Sequence, residues 1–150
     1  MARQHQQLLD APRLLTALVE ADVAFVIVGG MAAVAQGSAY ITVDLDICYQ
    51  RTVDNLKRLS NALGPLHPQL RGAPAGLPFV LDSATLKSGM NFTLITNAGD
   101  IDLIGEVSGL GLYVDVEKHS EEIEVLPPTA RTKCSLTWLP ISDGDVEVTS

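Results

Sequence analysis

The chain has 150 residues, 47% of them hydrophobic and 19% charged, and a formal net charge of −8. This length suits one domain that buries roughly 70% of its unfolded surface, so neither a disulfide nor a metal staple is needed to fold it. The composition excludes a disordered chain, and the acidic balance argues against holding a long duplex by phosphate neutralisation alone.

The N-terminal stretch Met1 to Asp10 is polar and Gln-rich, without the apolar region of a signal peptide. No apolar run approaches the ~18 residues of a membrane span. The expectation is a soluble, cytoplasmic protein with no membrane partner. Leu14, Leu15 and Leu18 have the spacing of one helical face, with Asp10 as N-cap and Pro12 in the first turn. Val23 to Val28 is short, continuous and β-branched, which predicts a strand buried on both faces. Gly29-Gly30 ends it, and Met31 to Gln36 reads as a short apolar helix.

Ile41 to Tyr49 alternates. Val43, Leu45 and Ile47 take one face of a strand; Thr42, Asp44, Asp46 and Cys48 take the other. Thr52 caps a predicted helix from Val53 to Leu63, and Gly64 to Pro78 reads as a Pro/Gly-rich loop. Asp82 to Ser88 is a brief polar segment of helical character. Asn91 to Thr96 and Asp100 to Val107 are predicted strands joined at Asn97-Ala98-Gly99. A charged helix over Tyr113 to Glu122 and a last strand over Ile123 to Leu126 follow. Pro127 to Ser150 has no period and is expected to be an irregular tail on a core of residues 1–126. The fold class is α/β (α+β): a short mixed sheet with helices mainly on one face.

Three features carry chemistry. Val28-Gly29-Gly30 is a strand running into two glycines and a helix, either a plain turn or a place where backbone approaches a phosphate. Asp44-Leu45-Asp46 places two carboxylates on one strand face, roughly 6.6 Å apart along it. Burying such a pair is costly unless a cation sits between them, and hard oxygen ligands suit Mg²⁺ or Mn²⁺. Asp100-Ile101-Asp102-Leu103 is a second alternating acidic pair. Asp100 adjoins a turn. Asp102, flanked by Ile101 and Leu103, is the better third carboxylate for a site that manages attack on a phosphate.

Val28-Gly29-Gly30, thirteen residues, then Asp44-Leu45-Asp46-Ile47 resembles the signature of the nucleotidyltransferase (polymerase β-like) superfamily. Gly99-Asp100-Ile101-Asp102-Leu103 is similar to the strand that bears that superfamily's third carboxylate. Gly37-Ser38, Tyr40, Thr42, Asn55-Leu56 and Leu59 extend the likeness to small bacterial nucleotidyltransferases related to AbiEii-type abortive-infection toxins. The resemblance implies a nucleotidyltransferase fold and Mg²⁺-dependent transfer of a nucleoside monophosphate from a nucleoside triphosphate to an acceptor hydroxyl. The acceptor would be tRNA, a protein or a small molecule, and the chain would be the toxin of a toxin–antitoxin pair, with an antitoxin as partner. Asp44, Asp46 and Asp102 would hold the metal and carry catalysis; Gly29, Gly30, Ser38 and Thr42 would line the nucleotide. Lys87 is a candidate triphosphate cation, or simply an exposed lysine. Relatives often carry Arg where Tyr40 stands, and a Lys/Arg-rich helix where this chain has Pro127-Pro128. That departure supports an alternative: a catalytically inactive remnant that keeps the fold and binds a partner.

Overall fold

The computed structural model describes residues 8–29, 44–74, 77–126 and 130–135. The expected helix over Met31 to Gln36 lies outside them.

Helix α1 (Ala11–Glu20) begins where the Asp10 side chain accepts a hydrogen bond from the Arg13 amide, 3.2 Å away, with Pro12 in the first turn. Its face of Leu14, Leu15 and Leu18 is buried. Strand β1 (Phe25–Val28) is buried at every position. Strand β2 (Asp44–Tyr49) runs antiparallel to it, with Phe25 opposite Tyr49 and Val28 opposite Asp46. Thr52 caps α2 (Val53–Leu63) by accepting from the Asn55 amide. The expected loop after α2 contains a 3-10 turn (Gly64–Leu66) and a two-residue strand, β3 (Gln69–Leu70). Two residues are too few for a sequence period to register; pairing with β4 (Asn91–Thr96) is what makes them a strand.

Asp82 caps α3 (Ser83–Ser88) through the Thr85 amide. A tight turn joins β4 to β5 (Gly99–Ile104), with Gly99 at φ +108° as the first residue of β5. The expected long strand to Val107 is broken at Gly105. Beyond it β6 (Glu106–Val107) leaves the sheet and pairs with β7 (Gly111–Leu112) in a small ribbon. The charged helix is shorter than its pattern suggests: α4 covers Tyr113–Lys118, and β8 occupies Ser120–Leu126.

The tail expectation is corrected in part. Ala130–Ser135 form β9, which lies parallel to β1 and antiparallel to β8. Its Lys133 donates to Glu117 of α4. ARTKCS has no legible alternation, and the hydrogen-bonding edge of β1 recruits it. Residues 136–150 lie outside the described residues.

The result is one mixed seven-stranded sheet, ordered β3-β4-β5-β2-β1-β9-β8. Alternate residues point to opposite faces. Phe25, Ile27, Leu45, Ile47, Tyr49, Leu94, Ile101 and Leu103 share one face and pack under α1, α2 and α3. Val26, Val28, Cys48 and Ile104 point the other way, against Val116 of α4. The α+β class therefore holds, with helices mainly on one face: α1, α2 and α3 lie on one side of the sheet and α4 on the other. No described helix is long and apolar enough to cross a membrane.

Candidate metal centre

The second face of the sheet changes character along β2. Cys48 lies in the smaller apolar cluster; two and four residues earlier stand Asp46 and Asp44. Strand β5 lies parallel to β2 with Asp44 opposite Asp100 and Asp46 opposite Asp102. Equal register puts all four side chains on the same face. One oxygen each from Asp44, Asp46 and Asp102 lies within 4.8 Å of the others.

Asp46 is the buried member, only 6% exposed, and its Oδ1 meets no hydrogen-bond partner among the described residues. An unpartnered buried carboxylate oxygen is costly. Gly29 explains how Asp46 fits there. The residue follows Val28, the partner of Asp46, and turns the chain at φ +70°. A Cβ at Gly29 would overlap Asp46 Oδ2.

Electrostatics follow from this crowding. Burial pushes the Asp46 carboxyl up to about 9, with the charges of Asp44 and Asp102 and a hydrogen bond with Asp102 adding to it. Asp44 is also raised, by burial first and by Asp102 next, while the Arg71 charge partly opposes the shift. These groups repel one another until positive charge arrives.

Part of that charge comes from Arg71, which lies inside the expected loop and is not among the expected site residues. Arg71 directly follows β3, and its amide donates to the Thr93 carbonyl of β4 at 2.9 Å. Its guanidinium bridges two acids: Nη1 donates to Asp100 Oδ2 at 3.0 Å and Nη2 to Asp102 Oδ1 at 2.7 Å. Nη1 is also 3.8 Å from Asp44 Oδ2. Burial works against the Arg71 charge, but the bonds and charges of Asp100 and Asp102 outweigh it and raise its pKa. The only advance signal was a single arginine in a Pro/Gly-rich stretch, which is not specific.

Among the expected site residues, the structure brings together Asp44, Asp46, Asp102 and Gly29. Gly30, Ser38 and Thr42 lie outside the described residues, as does Tyr40. Lys87 is exposed on α3. Arg51 donates to the carbonyls of Leu86, Lys87 and Gly89 and to the Tyr49 hydroxyl. That network fixes the Lys87 backbone at the Tyr49 end of β2, away from Asp44, so the structure does not bring Lys87 to the acids.

No protein-family model matches the sequence, and no curated protein matches it significantly. The site therefore has to be read from its own chemistry. Three carboxylates with clustered oxygens, one of them buried with an oxygen that has no partner among the described residues, could hold a divalent cation.

Proposed function

We propose that this chain is an Mg²⁺-dependent nucleotidyltransferase, moving a nucleoside monophosphate from a nucleoside triphosphate to an acceptor hydroxyl. The observation that supports it is the in-register meeting of Asp44, Asp46 and Asp102, with Asp46 Oδ1 buried without a partner among the described residues and Asp46 Oδ2 in the space that a Cβ at Gly29 would take. Asp44, Asp46 and Asp102 would hold Mg²⁺ or Mn²⁺, which when bound neutralises phosphate charge and favours ionisation of a hydroxyl. Gly29 keeps the β1 end free of a side chain, so that Asp46 can seat beside it. Asp102 accepts the proton of the acceptor hydroxyl. The acceptor oxygen bonds to the α-phosphorus, the α–β anhydride bond breaks, and pyrophosphate leaves with the electron pair.

In this reading the acceptor is tRNA, a protein side chain or a small molecule, and the chain acts as a toxin held in check by an antitoxin. The fold would be the nucleotidyltransferase fold. The test is incubation with each α-labelled nucleoside triphosphate, Mg²⁺ or Mn²⁺, and total tRNA or cell extract. Label should pass to one macromolecular or small-molecule fraction, and chelation of the metal should stop it. No transfer from any of the four nucleotides with either metal would sink the proposal. One observation favours a second reading, a non-catalytic protein that keeps this architecture and binds a partner: Arg71 already neutralises part of the acid cluster. That reading expects no divalent binding by the wild-type chain.

A further inference from the structure

The guanidinium of Arg71 occupies the carboxylates that a cation would need. It holds Asp102 Oδ1 at 2.7 Å and approaches Asp44 Oδ2 at 3.8 Å, so it faces two of the three metal-ligand candidates. Its other anchor, Asp100 Oδ2 at 3.0 Å, is not one of the three. Asp46 lies opposite Asp102 on the neighbouring strand, and its buried Oδ1 has no partner among the described residues. A divalent cation shared by Asp44, Asp46 and Asp102 would sit beside a fixed positive charge. It would also compete with that charge for the same oxygens.

Two like charges next to each other in a half-buried site repel strongly. The repulsion disappears if Arg71 finds another anion. A guanidinium fork matches phosphate oxygens as well as it matches carboxylates. The Arg71 side chain is 32% exposed, so it is not locked by packing.

We propose that Arg71 is a resident counter-ion that couples cation binding to phosphate binding. Resting on the metal-site reading above, it opposes a divalent cation that arrives alone. It favours one that arrives with a polyphosphate, because the phosphate takes the guanidinium away from Asp100 and Asp102. Arg71 is thus a positioning residue that sets the order of assembly. By linkage, the polyphosphate strengthens the cation by the same factor that the cation strengthens the polyphosphate.

The experiment measures two affinities on wild type, Arg71→Gln and Arg71→Lys. One is for Mn²⁺ alone. The other is for inorganic triphosphate with Mn²⁺ in excess. Arg71→Gln should bind Mn²⁺ alone roughly tenfold more tightly and the Mn²⁺-triphosphate complex roughly tenfold more weakly. Arg71→Lys, which keeps the charge and loses the fork, should fall between and also guards against a folding defect. A purely structural role would weaken both affinities together. Unchanged or weaker Mn²⁺ binding by Arg71→Gln, with measurable binding by wild type, would overturn the counter-ion role while leaving the metal site standing. Absence of Mn²⁺ binding in all three proteins would overturn the counter-ion role and the metal site together.

Discussion

Asp46 shows how one side chain couples folding to pH. In the folded chain its carboxyl keeps a proton up to about pH 9, whereas in the unfolded chain it ionises near the ordinary aspartate value. Between those limits the folded state binds more protons than the unfolded state. Stability contributed by this group is therefore complete at low pH and is lost as pH rises toward 9. Asp44 is shifted in the same direction. In metal-free buffer, the unfolding free energy should fall from pH 5 to pH 8 by at most about 1.4 kcal/mol per pH unit for each proton retained, and the melting temperature should fall with it. Asp46→Asn should flatten that dependence, leave the fold intact and abolish metal-dependent transfer. Thermal melts across pH decide it; a variant as pH-sensitive as wild type would refute the assignment. Gly29 offers a steric test of the same pair. Gly29→Ala puts a Cβ into Asp46 Oδ2 and forces a left-handed conformation on alanine. We expect about 2 kcal/mol lower stability in urea titrations and lost Mn²⁺ affinity in calorimetry.

At the scale of elements, the site depends on how β1, β2 and α2 are clamped. Asn55, fully buried in the first turn of α2, accepts from the Ala24 amide at 2.7 Å. It also donates to the carbonyls of Ala24 at 3.0 Å and Gln50 at 2.8 Å. One side chain thus satisfies the entry to β1 and the exit from β2. Asn55→Ala should strand those buried backbone groups and cost about 3 kcal/mol, read as a lower urea midpoint. Asp46 lies three residues from the clamped end of β2, so the variant should also loosen its register against Val28. On the far side, β9 covers the other edge of β1. An uncovered, fully apolar strand would be an invitation to edge pairing.

For the whole molecule, the acid cluster sits in a chain that is already negative by eight charges. Long-range repulsion adds to the local repulsion, so a divalent cation should stabilise the folded state. At about 100 times its dissociation constant, Mg²⁺ or Mn²⁺ should add about 2.7 kcal/mol by linkage. Differential scanning calorimetry with and without metal checks this, with Asp102→Asn as the variant that should lose the shift. Equal melting temperatures for wild type at all metal concentrations would count against the site.

Local chemistry made much of this architecture legible in advance. The caps Asp10 and Thr52, the apolar stripe of α1 and the two-residue alternation of β2 and β5 depend only on near neighbours, and all are found in place. The parity of Asp44 and Asp46 was likewise a local property. What required the tertiary structure was the register of β2 against β5. A pairing shifted by one residue would have put Asp102 on the helix-covered face instead of beside Asp46. The same holds for β3, β9 and Arg71. Each is placed by hydrogen bonds to a strand distant in sequence, and no periodicity within a short segment encodes a partner that far along the chain.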